Sequence, residues 1–462
     1  MGMTWAILTV LGLGPNVEDP AALVERLGAA RYQERQKAAQ DLLELGKSAL
    51  PALIAAKDRR DAEVQNMVHG LIDAIEKRLL VEPTMVAIEA RDRPLIEVVR
   101  DLAARSEMSV QLFPENFPAF AERKVTLDTG GPVPFWTAMS KLCQSASLQY
   151  QALNDSGMGG HVGSGLRLLQ GQSELGPTSD QGPFRCVLAS IHHHRDRALT
   201  GRPMSFGPFP KGVGPRPIVA GQSMNEQFYV QMQISTEPRL LLAMVGPPKL
   251  VEAVDDLGQS LLFDTPNGAT DTRYAGYSGM VWSTNSSMTQ VQINMRYPAQ
   301  TGKLIKRLRG KADVTVTALR PGPITLQIAE SAGRPVRCSD LSVQVHEPKQ
   351  DRDGTPSLEF SLKPLDPANE NAPGQPPMPT PFIGPESYRH RLEIVDAQGR
   401  PMTWYAQSAQ SGPDGTRMTV RFNLNPNDPR ANLKPAEVRL YDIHRAQTEV
   451  AFDFQDIPMP LP

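Results

Sequence analysis

The run with the clearest chemical potential is His192-His193-His194. On an extended segment His192 and His194 project to one side and His193 to the other. Two imidazoles so placed can ligate zinc if further ligands arrive from elsewhere. Only Asp196 accompanies them at ligand spacing, and Arg195 and Arg197 flank the run. A solvated strand edge is the expectation. The glycine-rich stretch Gly157–Gly165 (GMGGHVGSG) resembles a phosphate loop only superficially. A dinucleotide fingerprint needs glycine where Val162 stands, and no Lys-Ser/Thr pair follows for a P-loop. Ser164 lies in Gly-Ser-Gly rather than in a G-x-S-x-G elbow. Asp255 and Asp256 are neighbours on a turn and would point apart. In Lys303–Lys311 (KLIKRLRGK), alternation puts Lys303, Arg307, Arg309 and Lys311 on one face and Leu304 and Leu308 on the other, as in an edge strand that resists further pairing. No catalytic, cofactor-binding or metal-ligating residue is therefore assigned, and no cofactor is expected. The reading is a non-enzyme.

Composition agrees with a folded, multidomain chain. Its 462 residues suffice for three or four domains at ~100–200 residues each. A formal net charge of −2 gives no general attraction to nucleic acid or an anionic membrane. Proline, at 42 residues, is nearly twice as frequent as the usual ~5%. That predicts loops and strand edges rather than long helices beyond the amino-terminal part. Three cysteines, Cys143, Cys186 and Cys338, make no disulfide framework. Cys143 sits on an apolar helical face, and a Cys186–Cys338 bridge stays open. The apolar run Trp5–Leu13 lacks preceding basic residues and is too short to span a bilayer. It reads as a weak signal or anchor within 1–14, or else as a short buried segment.

The hydrophobic period locates the elements. Over 15–81 it is helical: Ala38, Leu42 and Leu45 share a face, Gly46 and Pro51 interrupt it, and Leu50, Leu53 and Ile54 form a short second stripe. Asp61 is placed to cap a longer helix with Val64, Val68, Leu71, Ile72, Ile75 and Leu79 on one face. Over 83–153 the period switches repeatedly. Val86 and Ile88 alternate, Pro94 opens a helix faced by Leu95, Val98, Val99 and Leu102, and Val110/Leu112 and Val125/Leu127 alternate again. Pro134 opens a second helix faced by Phe135, Met139, Leu142 and Cys143, and Leu148 and Tyr150 close the series. This is the signature of a small β-α-β-β-α-β domain.

The stretch LVERLGAARYQERQKAAQDLLELGKSALPALIAA…DAEVQNMVHGLIDAI resembles HEAT-type helical repeats over about two short units, fewer than a solenoid wants for a continuous core. TMVAIEARDRPLIEVVRDLAARSEMSVQLF followed by KVTLDTGGPVPFWTAMSKLCQSASLQY resembles the short N-terminal domain of secretins and TonB-dependent receptors. That resemblance implies protein–protein contact in the bacterial envelope. The barrel or channel that follows in those families has no counterpart here.

Residues 154–183 read as a Gly/Ser-rich linker. Beyond it, short alternating runs between turn signals predict two antiparallel β-sandwich-like domains, 184–318 and 319–462, the second with a Pro-rich surface loop at 364–385. A repeat joins them. Val254-Asp255, Gly258 and Leu261 are matched by Val395-Asp396, Gly399 and Met402, and each set precedes an alternating strand, Thr289–Ile293 and Arg417–Phe422. The expected class is thus multidomain α+β, and the expected role is non-catalytic protein interaction or structure in the periplasm or cell envelope. A cytoplasmic location is the alternative. The expected partner is a protein, with no nucleic acid and no integral membrane span. Two other functions stay open: carbohydrate or surface-polymer binding with Trp282 or Trp404 as stacking platforms, and a metal-dependent hydrolase built on His192–His194.

Overall fold

The structure is a computed structural model that describes residues 19–57, 61–115, 117–153, 158–159, 165–171, 176–197, 224–263, 286–320, 322–338, 341–350, 355–365, 390–412, 415–422 and 434–460. The apolar run at 5–13, Trp282 and residues 366–385 of the Pro-rich segment lie outside the described residues, as do 157 and 160–164 of the glycine-rich stretch. The chain is mixed α+β and divides into two compact units, Met1–Val81 and Glu82–Pro462.

In the first unit Asp19 caps α1 (Pro20–Arg26) by accepting the Ala21 N–H. α2 (Tyr32–Leu45) stops at Gly46, whose φ of +56° favours glycine. Pro51 falls in the first turn of α3 (Leu50–Ala55), where its missing N–H would be unbonded anyway. It therefore begins a helix instead of breaking one. α4 (Ala62–Val81) is capped by Asp61, whose Oδ1 accepts from Glu63 N at 2.9 Å and Val64 N at 3.3 Å. Leu27, Leu42, Leu53, Val68 and Ile75 meet in one core. Ile54, expected on the second stripe, is exposed.

The second unit opens with the small domain. Its elements are β1 (Met85–Val86), β2 (Glu89–Pro94), α5 (Leu95–Ser106), β3 (Ser109–Leu112), α6 (Pro118–Glu122), β4 (Lys124–Asp128), β5 (Val133–Pro134), α7 (Phe135–Ala146) and β6 (Leu148–Ala152). α5 and α7 begin straight after Pro94 and Pro134, and both end on a residue in the left-handed region, Glu107 and Ser147. The strands pair as β1-β5 and β2-β4, while β3 and β6 are separated by a strand from outside the expected domain.

That strand corrects the linker expectation. Residues 154–183 hold β7 (Met158–Gly159), β8 (Gly165–Gln170) and β9 (Thr178–Gln181). β8 runs parallel to β3 and antiparallel to β6, and its Leu166 and Leu168 join the small domain's core. β7 and β9 pair with the two following β layers. One segment thus contributes a strand to three bodies.

The next layers comprise β10 (Phe184–Arg197), β11 (Met224–Thr236), β12 (Leu241–Val245), β13 (Lys249–Asp255), β14 (Met288–Met295) and β15 (Leu304–Leu319). One antiparallel sheet has the order β14-β11-β10-β9, and β12 and β13 pair with β15 in another. After these come β16 (Ile324–Gln327), the short α8 (Ile328–Ser331), β17 (Pro335–Arg337), β18 (Leu341–Val345), β19 (Lys349–Gln350), β20 (Pro356–Pro364), β21 (Leu392–Asp396), β22 (Trp404–Gly412), β23 (Gly415–Phe422) and β24 (Pro435–Leu440). Their sheets, β16-β24-β21 and β17-β18-β20-β23-β22, share one core around Phe360, Trp404, Val420 and Leu440.

The two sets of sheets have matching order. β9-β10-β11-β14 corresponds to β17-β18-β20-β23, and β13-β15 corresponds to β21-β24. In the later copy the free side of β24 is filled by its own first strand, β16. In the earlier copy that place is taken by β25 (Ile443–Pro458), the last described strand, which pairs with β15 from Leu304↔Pro458 to Leu319↔Ile443. The boundary expected at 318/319 therefore separates the repeats but not the sheets.

This placement also corrects the edge-strand reading of Lys303–Lys311, because β15 is flanked on both sides. Its cations form a ladder with acids on the flanking strands: Arg307 with Asp453, Arg309 with Glu252, Lys311 with Glu449 and Lys306 with Asp456. Phe452 and Phe454 bury the other face of β25, each contributing about 1.5–3 kcal/mol. β25 has a further neighbour in β9: Ser179 Oγ accepts from Asp453 N at 3.2 Å, and Gln181 Oε1 accepts from Ala451 N. These side chains cover backbone donors that would otherwise invite another strand.

Candidate ligand-binding face

The three histidines lie on β10 as alternation predicts, but a register shift decides what they face. Pairing with β11 runs from Phe184↔Thr236 to Leu188↔Met232 and resumes at Ser190↔Gln231. Ala189 is thus an extra residue, a β-bulge. Without it Ser190 and His192 would follow Leu188 toward the core. With it they turn outward, opposite Gln231 and Tyr229, and these lie opposite Gln292 and Asn294 of β14. His193 turns to the other side, where its ring stacks on Tyr297 at 3.6 Å between centroids and its Nε2 meets Glu226 Oε1 at 3.0 Å.

The outward row is held by its own contacts. Ser190 Oγ donates to Gln231 Oε1 at 3.1 Å and shares a 2.7 Å hydrogen bond with His192 Nε2. His192 stacks on Tyr229 at 4.9 Å and on His194 at 6.4 Å. Gln292 Nε2 donates to Asn294 Oδ1 at 2.7 Å. Gln231 Nε2, Gln292 Oε1 and the Tyr229 hydroxyl make no hydrogen bond with any described residue. Between Ser190 and His194 and their partners on β11 and β14, this face carries no Lys, Arg, Asp or Glu.

The same face is closed at its other end by the small domain. Arg185, 2% exposed, stands opposite Ser235 and reaches Asp180 through Nε at 2.7 Å and Nη2 at 2.6 Å. Its Nη2 also donates to Trp136 O and Ser140 Oγ, and its guanidinium lies 4.9 Å from the Trp136 ring centre. Burial opposes the charge, yet the Asp180 carboxylate and the Tyr150 phenol hold the pKa of Arg185 above its ordinary value. Burial likewise pushes the Tyr150 phenol up. Beside this cluster Trp136 Nε1 donates to Pro183 O at 3.0 Å. A second clamp is Glu237, wholly buried, which accepts from Thr84 N at 2.8 Å, Thr84 Oγ1 at 2.7 Å and Arg239 Nε at 2.8 Å.

The described groups of this face offer hydrogen-bond donors, acceptors and ring surface. Activating Ser190 would require His192 Nε2 to accept its proton while another group oriented Nδ1. Here Ser190 is shared with Gln231, and no described residue bonds Nδ1 of His192. His192 and His194 offer two imidazoles, and among the described residues no group of three His, Cys, Asp or Glu is arranged to hold a metal ion. Trp404 is wholly buried in the second core, so it cannot serve as a stacking platform. Cys143, Cys186 and Cys338 are buried thiols outside any disulfide, which removes the Cys186–Cys338 bridge, and burial pushes the Cys143 and Cys186 thiols up to about 12. Sequence reasoning missed Tyr229, Gln231 and Gln292. The alternation of Gln227, Tyr229, Gln231 and Gln233 was visible, but its partners were not.

The small domain offers a different surface. β3 pairs only with β8, so its other edge is free among the described strands. Ser109 and Gln111 are exposed beside it, as are Gln149 and Gln151 of β6. Phe113, 43% exposed, lies under the Arg167 guanidinium at 4.7 Å.

No protein-family model, curated protein or solved structure matches the chain. No helix among the described residues is long and apolar enough to cross a membrane.

Proposed function

We propose that this protein is a non-catalytic interaction or structural component of the bacterial cell envelope. Its parts are a HEAT-like helical unit at 15–81, a small domain like that of secretins and TonB-dependent receptors, and two β-sandwich-like repeats. The observation that supports the reading most is the edge of β3 that no described strand covers. Phe113 N donates to Leu168 O of β8, so by alternation the N–H and C=O groups of Val110 and Leu112 point away from β8. An extended segment of a partner protein can add there as a further strand, with Phe113 and Arg167 beside it. The Arg185 and Glu237 clamps hold the domain on the following sheet, so the edge is presented with little ordering cost.

The test is a photo-crosslinking amino acid at Gln111 in the native cells, with fractionation of the labelled protein. The reading expects a discrete protein adduct in the envelope fraction. A control label at exposed Ile54 of the helical unit should not give it. A correctly folded protein found only in the cytoplasm, or one with no adduct at Gln111, overturns the reading.

A further inference from the structure

We infer that the open half of the outer face of β10, β11 and β14 binds an uncharged, hydroxyl-rich polymer, a neutral glycan. This goes beyond the strand-edge reading and uses a different surface. Four observations converge on it.

The face is made by a specific device. The Ala189 bulge turns Ser190 and His192 outward after a buried run through Cys186 and Leu188. Bulges that re-aim side chains are found preferentially at sheet edges and next to functional sites. Here the re-aimed residues meet Tyr229 and Gln231 across the strand pair.

The face is also neutral where it is open. A polyanion such as nucleic acid would find no cation in it. An apolar peptide would find no aliphatic side chain among Ser190, His192, Tyr229, Gln231, Gln292 and Asn294. Hydroxyl groups, each both donor and acceptor, are the complementary chemistry for side-chain amides, a phenol and imidazoles.

Its hydrogen-bonding capacity is left over in a usable arrangement. Gln231 and Gln292 are direct cross-strand partners. Gln231 spends its oxygen on Ser190 and keeps its NH2. Gln292 spends its NH2 on Asn294 and keeps its oxygen. The pair thus presents one donor and one acceptor on adjacent strands, and neighbouring strands run about 4.8 Å apart, a spacing comparable to one sugar ring. The Tyr229 hydroxyl adds a third free group, and the His192–Tyr229 stack supplies ring surface for sugar C–H groups.

The groups are held in place before any ligand arrives. The Ser190 bonds, the Gln292–Asn294 bond and the ring stack fix these rotamers. Little side-chain entropy is then lost on binding.

The test is native affinity electrophoresis of the full chain through gels containing a soluble α-glucan, a β-glucan or a galactomannan, with alginate as a polyanion control. At least one neutral polysaccharide should retard the protein, and added salt should not abolish the effect. Tyr229→Ala and the double variant Gln231→Ala/Gln292→Ala should each weaken binding by about tenfold or more. Gln111→Ala on the small domain should leave it unchanged, so failure of the strand-edge reading would be seen separately. Thermal melts establish that each variant is folded. If Tyr229→Ala does not fold, Tyr229→Phe takes its place and should weaken binding through the lost hydroxyl. Absence of retardation by every neutral polysaccharide overturns the inference. So does retardation that persists in the folded variants, or a photo-crosslinker at Gln292 that captures a protein instead.

Discussion

Asp255 and Asp396 build the same turn in two different β layers. Asp255 Oδ1 accepts from Leu257 N at 3.1 Å and Gln259 N at 2.7 Å, and its Oδ2 accepts from the Gln259 side chain at 2.8 Å. Asp396 Oδ1 accepts from Gln398 N at 2.8 Å and Arg400 N at 2.9 Å, and its Oδ2 accepts from Arg400 Nε at 2.7 Å. Gly258 and Gly399 follow with φ of +79° and +75°. Leu261 and Met402 then hydrogen-bond back to Ala253 and Ile394. With the shared sheet order, this makes the two layers structural repeats. Burial disfavours the Asp396 charge, but the Arg400 and Gln398 N–H groups and the Arg400 guanidinium outweigh it and hold its pKa below the ordinary value. A carboxylate depressed in the folded state stabilises the fold above the ordinary aspartate pKa of about 3.9 and loses that effect as pH falls through the folded value. Asp396→Asn is therefore expected to lower the thermal midpoint by several degrees at neutral pH. The gap from the parent should close as pH falls below about 4. A gap that stays constant with pH would show that the ionised carboxylate does not hold this turn.

Arg185 joins the small domain to the β10 sheet, and its replacement should cost more than that of any ion pair on β15. Arg185→Met leaves Asp180 without its partner and removes the donors to Trp136 O and Ser140. Breaking a wholly buried pair costs roughly 3–5 kcal/mol. Asp180 keeps 33% of its side chain exposed, so about 2–3 kcal/mol is expected here. Arg185→Lys should recover less than half of the loss, since an ammonium cannot make the two-point contact. Urea denaturation with a Trp136 fluorescence readout checks both, and a fully rescued lysine variant would refute the two-point argument.

Glu237 makes a distinction between charge and hydrogen bonding at the second clamp. Glu237→Gln keeps an acceptor for Thr84 N but loses the ion pair with Arg239. Glu237→Ala leaves the Thr84 N–H and hydroxyl without that acceptor, at about 1–3 kcal/mol for the orphaned groups. Denaturation midpoints should fall in the order parent, Gln, Ala. Equal midpoints for parent and Ala would remove Glu237 from the junction.

The elements were largely legible because hydrophobic period is a local property. Val110/Leu112, Val125/Leu127 and the helix starts after Pro94 and Pro134 all occur where alternation and proline place them. β8 was missed although Leu166 and Leu168 alternate, because the glycines around them outweighed two apolar residues. What the sequence could not reveal is pairing at long range. Phe452 and Phe454 lie two apart, as on one face of a strand, yet nothing local says that β25 returns to β15 rather than completing the later repeat. The candidate face was hidden for the same reason. His192 was conspicuous, but its neighbours Tyr229 and Gln231 depend on register and on the single extra residue Ala189.

The seat of β25 on β15 makes the last prediction. Gly310 lies between Leu250 and Phe452 in the sheet. A Cβ there would stand 2.6 Å from both the Lys249 carbonyl oxygen and Phe452 Cζ. The ring therefore lies over the glycine, and Gly310→Ala should cost about 1–3 kcal/mol by overpacking. Phe452→Ala should cost about 3–5 kcal/mol through lost burial and the cavity left behind. Combined, the two should cost less than their sum, because the alanine methyl enters space the ring has vacated. The shortfall should stay partial, since the Lys249 carbonyl remains in contact whatever stands at Phe452. Urea midpoints for the parent, both single variants and the double variant complete the cycle. Simple additivity would mean that Phe452 does not pack on Gly310, and that β25 is held by backbone pairing and its charge ladder alone.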